Sequence, residues 1–246
     1  MSKLKTLDSV ILHVPHAFDT PIPMLVNQID DSVQYVRNTL ELTDWHTDKI
    51  FRVPGVLMVA FPYSRLQCDV ERLPDEEEQM FKVGRGFHYS HGFDGKKLRE
   101  VNEQTKAFIY KNIYLTHHNR LTRLTQENLN TYGECTIIDC HSFNKKPLGA
   151  NVEKAKSPDI CIGVDEFHTP LWLQHHLEES FKKLGYTVEI NNPYTGCIIP
   201  REFYQKDKRV IGVMIEINKR LYLDSEYKQI NIEGLNTEIT DIIKSL

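Results

Sequence analysis

The chain has 246 residues, 40% hydrophobic and 26% charged, with a formal net charge of -4. That is room for one large α/β domain with an ordinary globular composition, and the mild acidity removes any electrostatic case for nucleic acid as the main partner. No apolar run reaches the roughly 18 residues of a membrane span. The opening Met1-Ser2-Lys3-Leu4-Lys5 leads into a strand rather than a secretory leader, so no membrane partner and a cytoplasmic setting are expected. The five cysteines (Cys68, Cys135, Cys140, Cys161 and Cys197) are odd in number and form no Cys-x-x-Cys pair, which reads as reduced thiols.

In chain order, short β-branched runs at 10–14, 56–61, 136–140, 159–164, 187–190 and 210–217 predict buried strands. Helical spacing of apolar residues covers 97–130, 169–184 and 231–246, with Gly185 placed to end the second of these. The alternation predicts an α/β three-layer sandwich around a mixed, mostly parallel sheet, in one domain spanning 1–246. The segment 75–95 is polar, opens on the acidic run Asp75-Glu76-Glu77-Glu78, and carries four glycines with His88, Tyr89 and His91. A loop of that length inside a compact domain predicts a lid or a substrate-contacting segment.

Ligands of α/β proteins gather at the carboxyl ends of strands, so ionisable residues just past strand-like runs are the first candidates. His16, in Val14-Pro15-His16-Ala17, follows the first strand and is suited to bind a metal through a ring nitrogen, whereas His13 lies inside the strand as a structural histidine. Asp139-Cys140-His141-Ser142 puts His141 at another strand end. Asp139, two residues earlier, is on the same side of the strand and able to orient the imidazole. Glu216 is a carboxylate in the apolar strand 210–217. It requires a cation, a hydrogen-bond partner or a proton, and it suits a general base. Thr43 resembles a helix N-cap with Asp44 in the first turn. Arg65 and Arg72 are each suited either to grip a substrate carboxylate or to pair structurally with Asp69 or Glu71.

Taken together, these segments resemble the N-formylglutamate amidohydrolase (deformylase) family. The similarity runs through Val14-Pro15-His16-Ala17, Leu42-Thr43-Asp44-Trp45-His46, Ser64-Arg65 with Asp69-Val70-Glu71-Arg72, Asp139-Cys140-His141-Ser142, Asn192-Pro193-Tyr194-Thr195-Gly196 and Ile215-Glu216-Ile217. His118, in Thr116-His117-His118, is similar to a helical histidine of that family. The resemblance implies a zinc-carboxypeptidase-like (phosphorylase/hydrolase-like) fold with an eight-stranded mixed sheet. It also implies one catalytic Zn2+ with an open coordination position.

Carried over by motif, His16, Asp44 and His141 are the implied metal ligands, with Asp19 the alternative carboxylate. Glu216 is the implied base, and Arg65 acts catalytically on the developing oxyanion or a substrate carboxylate. Arg72, Asn192, Tyr194 and Arg201 are the implied contacts to a small acidic substrate. The implied reaction is zinc-dependent hydrolysis of the amide bond of an N-acylated acidic amino acid, with N-formyl-L-glutamate giving formate and L-glutamate. Phe18, Glu71 and Cys197 depart from the family pattern. The negative charge of Glu71 keeps open a zinc hydrolase of a small peptide, γ-glutamyl compound or cell-wall fragment. A non-catalytic binding protein on the same fold is the third reading.

Overall fold

The structure, a computed structural model, describes residues 4, 6–28, 32–74, 78–144 and 157–246. Six strands form one sheet: β1 (Val10–Val14), β2 (Leu57–Ala60), β3 (Cys135–Phe143), β4 (Ile160–Gly163), β5 (Val188–Ile190) and β6 (Val210–Asn218), in the order β2-β1-β3-β6-β4-β5. β1 runs parallel to β3, β3 to β6 and β4 to β5, while β4 and β6 are antiparallel. The sheet is therefore mixed and mostly parallel. Among the described residues it has six strands rather than the eight that the family resemblance implied.

The six strands fall on the six β-branched runs of the sequence. β3 is buried at all nine positions, which requires cover on both faces of the sheet and explains its near-continuous apolar run. No helix among the described residues is long and apolar enough to cross a membrane. The described cysteines carry no disulfide, and four of the five are buried.

The helices are α1 (Ser32–Leu42), α2 (Thr47–Ile50), α3 (Glu103–Ile109), α4 (Leu115–Tyr132), α5 (Leu171–Lys183) and α6 (Ile232–Lys244). The long helix expected over 97–130 is broken up. It starts at Glu103, where the Asn102 side chain caps by accepting the Thr105 N–H at 2.8 Å. It then passes through a π-helical turn, Tyr110–Tyr114, before α4. α5 ends as expected, with Gly185 in the left-handed region at φ 91°.

The chain divides into two compact units that interleave in sequence. The first comprises 1–14, 46–59 and 122–246 and carries the sheet with α2, α5 and α6. In it, α5 buries Leu173, Leu177 and Phe181, and α6 buries Leu235, Ile239, Ile242 and Ile243 along one face. Asn236 of α6 donates to the carbonyls of Lys49, Ile50 and Arg52, tying α6 to the end of α2. The second unit comprises 15–45 and 60–121. Its core gathers Ile22, Leu25, Phe61, Cys68, Val70, Phe87, Ile109 and Tyr114.

Of the segment 75–95, residues 75–77 lie outside the described residues. The rest is packed in place rather than hanging as a lid. Gln79–Val83 forms a turn of 3-10 helix, Gly84 closes it at φ 72°, and Phe87 and Tyr89 are buried.

Candidate active site

In the second unit, His16 and Asp44 are brought together by the backbone. Helix α1 ends at Leu42, the Thr43 N–H closes it on the Thr39 carbonyl at 3.1 Å, and the Asp44 N–H then donates to the His16 carbonyl at 2.9 Å. Thr43 is thus the exit of one helix rather than the N-cap of the next. α2 begins only at Thr47, after His46 at φ 65°. The arrangement leaves Asp44 Oδ2 3.6 Å from His16 Nδ1, with both residues buried. That is too long for a hydrogen bond. Two atoms bound at about 2 Å to one tetrahedral ion stand roughly 3.3 Å apart, so the spacing suits a pair of metal ligands. Asp19, the alternative carboxylate, is exposed.

The other nitrogen of His16 is committed: Nε2 lies 2.9 Å from Asp69 Oδ1. Asp69 in turn is gripped by Arg65, whose Nε and Nη2 donate to Oδ2 at 3.2 and 2.8 Å. The Tyr89 hydroxyl donates at 2.7 Å and the Glu71 N–H at 3.0 Å. Burial alone would raise the Asp69 carboxyl, but the Arg65 guanidinium and then His16 hold it well below the usual carboxylate range.

Arg65 thus commits Nε and Nη2 to Asp69, the ion-pair alternative, which links it to His16 through that carboxylate. Arg72 differs, since its Nε stays 3.9 Å from Asp69 Oδ2, beyond hydrogen-bond reach. His118 sits over the Tyr114 ring at 4.2 Å with Nε2 2.9 Å from the Val70 carbonyl, which fixes the start of α4.

In the first unit, Asp139 on β3 does for His141 what Asp69 does for His16. Asp139 Oδ1 lies 3.1 Å from His141 Nε2 and 2.9 Å from His13 Nδ1, while Oδ2 accepts the Ile198 N–H at 3.0 Å. Burial pushes this carboxyl up, and the His141 and His13 imidazoles outweigh it and hold the group far below its ordinary value. Register places His13 beside Asp139 and His141 beside Glu216 on neighbouring parallel strands, so these four side chains share one face. All four are buried.

On both candidate histidines, then, Nε2 faces a buried carboxylate and Nδ1 is the nitrogen suited to a metal. His168 shows the contrast. It is buried too, but Nδ1 meets the Val210 carbonyl at 2.7 Å and Nε2 accepts the Gln205 N–H at 2.8 Å, so backbone occupies both nitrogens of a structural histidine.

The loop Asn192–Gly196 packs close to β4. The Cys161 thiol donates to the Tyr194 carbonyl at 3.3 Å, Phe143 and Tyr194 meet edge to face, and a Cβ at Gly163 would strike the Gly196 carbonyl. Asn192 and Tyr194 are half-buried there. Arg201 is exposed. Asp69 was missed as a site-building residue. The available signal was a carboxylate flanked by two arginines in a semi-apolar run, where a buried anion needs more than one partner.

The family model described as N-formylglutamate amidohydrolase matches residues 8–223. An N-formylglutamate deformylase of Pseudomonas putida is 22% identical over 226 residues, covering 87% of this chain and 82% of its own length. One from Pseudomonas aeruginosa is 22% identical over 254 residues, covering 96% and 92%. Among solved structures, the N-formylglutamate amidohydrolase of Ralstonia eutropha JMP134 superimposes with a TM-score of 0.79 at 17% identity, over 96% of this chain and 91% of that one. A gene product of Agrobacterium tumefaciens superimposes at 0.63 with 16% identity, over 97% and 91%.

Proposed function

Because the chain belongs to the N-formylglutamate amidohydrolase family, we propose that it hydrolyses the amide bond of N-formyl-L-glutamate in a metal-dependent reaction, releasing formate and L-glutamate. We propose that His16, Asp44 and His141, the ligand set that the family resemblance implies, hold a single Zn2+. Two histidines and one carboxylate are a recognised catalytic set, and all three are buried. The observation that carries this reading is the pairing of each candidate histidine with a buried carboxylate on Nε2, which fixes the tautomer and aims Nδ1. Bound there, the ion would polarise the scissile carbonyl and acidify water.

The chain's own residues do the rest. Asp69 and Asp139 orient the two rings. Glu216, in register with His141, takes a proton from the attacking water and delivers it to the leaving amine nitrogen. Arg72, whose fork is not filled by Asp69, receives a substrate carboxylate, and Asn192 and Tyr194 flank the acyl end.

The test is metal content of protein purified without added metal, followed on the same sample by formate release from N-formyl-L-glutamate with and without chelator. About one zinc per chain and chelator-sensitive release support the proposal. Zinc without that release keeps the centre and rejects the substrate, and no zinc even after incubation with it rejects the centre. Glu216→Gln should keep its metal while turnover falls by about 10²–10⁴-fold. Metal loss in that variant would move Glu216 into the ligand set.

A further inference from the structure

Asp69, the carboxylate that meets His16, sits on a short stretch of chain that pairs with another inside the second unit. The Asp69 N–H donates to the Phe87 carbonyl at 2.8 Å and the Tyr89 N–H to the Leu66 carbonyl at 3.3 Å, so segments 66–69 and 87–89 lie side by side. The same pairing delivers the Tyr89 hydroxyl to Asp69 Oδ2 at 2.7 Å. A pairing this short is marginal by itself in water and needs further support to hold one register.

Arg99 supplies that support. It is 4% exposed, and its Nε donates to the Tyr89 carbonyl at 2.8 Å on one segment. Its Nη2 donates to the Leu66 and Gln67 carbonyls at 3.0 and 3.2 Å on the other. One planar fork therefore spans both segments. Gln67 extends the tie toward the stretch that follows His16, since its side-chain nitrogen donates to the Leu25 carbonyl at 3.3 Å and its oxygen accepts the Ile22 N–H. No carboxylate bonds to Arg99 among the described residues. Burial pulls its pKa down only to about 10, so it stays charged at neutral pH. The charge is felt next door, where burial, then Arg99 and Lys106, lowers the His88 pKa to about 4. A buried guanidinium without an anion is a poor source of stability, because carbonyl bonds offset desolvation without neutralising the charge. What an arginine offers here is reach and rigidity, a fixed fork that a lysine or an apolar side chain cannot copy.

We propose that Tyr89 and Arg99 are positioning residues for His16: Arg99 fixes the two segments against each other, and Tyr89 thereby holds Asp69 in the orientation that meets His16 Nε2. The bonds to Asp69 fit that role. Oδ1 faces His16 and the Glu71 N–H, while Oδ2 takes the Arg65 fork and the Tyr89 hydroxyl. A carboxylate held at both oxygens from several directions cannot turn, so the imidazole it meets keeps one tautomer and one orientation. Arg99 acts at a distance from the ring, through the backbone of 66–69 and 87–89. The consequence for metal binding rests on the reading of His16 as a ligand, whereas the consequence for the His16 ring does not.

The test compares Tyr89→Phe, which removes only the hydroxyl, with Arg99→Lys and Arg99→Gln, which remove the fork. Asn102→Ala strips the cap of α3 in the same unit and is the control for plain destabilisation. Two quantities are read on the full chain: the nitrogen NMR signals of the His16 ring in metal-free protein, and Zn2+ affinity by equilibrium dialysis. In the wild type the His16 proton should reside on Nε2. In Tyr89→Phe and in the folded Arg99 variants it should be shared between the two nitrogens, with Zn2+ affinity lower by about tenfold. Asn102→Ala should change neither. An unchanged His16 signal in Tyr89→Phe, or in whichever Arg99 variant folds, overturns the proposal. So does an equal change in Asn102→Ala, which would make the effect one of general stability. A wild-type chain that binds no zinc rejects the metal centre instead, and the His16 signals still decide the positioning role.

Discussion

Asp69 and Asp139 are two buried carboxylates with the same task and different company. Asp69 holds His16 while an arginine fork, a tyrosine hydroxyl and a backbone N–H hold it. Asp139 holds His141 and His13 and accepts the Ile198 N–H. The first charge is balanced by a cation that cannot lose its proton, the Arg65 guanidinium. The second faces two imidazoles. Charge balance at Asp139 therefore depends on how many protons the two histidines carry, and a metal ion near His141 would change that number.

The largest effect should come from Asp69→Asn. It strands Arg65 in a buried position without its anion, and unfolding in denaturant should show a loss of about 3–5 kcal/mol. Equal losses in Asp69→Asn and Asp139→Asn would erase the distinction drawn here. Asp139→Asn is expected to cost less, about 1–3 kcal/mol, because its imidazole partners, unlike an arginine, can shed a proton and accept an amide N–H. Its clearer mark should be a metal affinity lower by about 10–100-fold in equilibrium dialysis. Arg72→Ala should raise KM with stability changed by less than about 1 kcal/mol, since its ion pair to Asp69 is long. An unchanged KM would leave Arg72 in the Asp69 shell with Arg65.

The smallest effect concerns pH. The folded pKa of His88, about 4, lies below its unfolded value, so the unfolded chain binds the extra proton between those values. Stability should fall as pH drops from about 6.5 toward 4, and His88→Gln should flatten that slope in thermal melts.

The sheet was legible because its central strands are compact apolar runs, and burial of β1, β3 and β4 on both faces leaves no alternation to misread. Helix α1 was not legible. Its apolar Val33, Val36 and Leu40 are exposed while Asn38 and Thr39 are buried, the reverse of an amphipathic stripe. Asn38 earns its place by accepting the Phe93 N–H at 2.8 Å and donating to the Gln34 carbonyl at 2.9 Å, which periodicity does not register. The broken helix over 97–130 hid for a similar reason. Leu98 and Val101 keep the spacing but belong to the bridged segment before the Asn102 cap, where His91 pairs with Lys97.

At the site, the histidines at strand ends stood out because strand ends are where chemistry collects. The role of Asp69 was hidden, since its partners come from 16, 65 and 89, and only folding reveals which arginine is already occupied.

The register of β1 also bears on how the protein is made. β1 lies between β2 and β3, and Val10 pairs with Thr136 of β3, so one of its two neighbours is made only after more than a hundred further residues. Until β3 is made, Val10, Ile11 and Leu12 present one unpaired apolar edge on the side away from β2, the kind of segment holding chaperones recognise. Refolding from denaturant should accordingly be slow for its size, limited by long-range strand docking instead of helix formation.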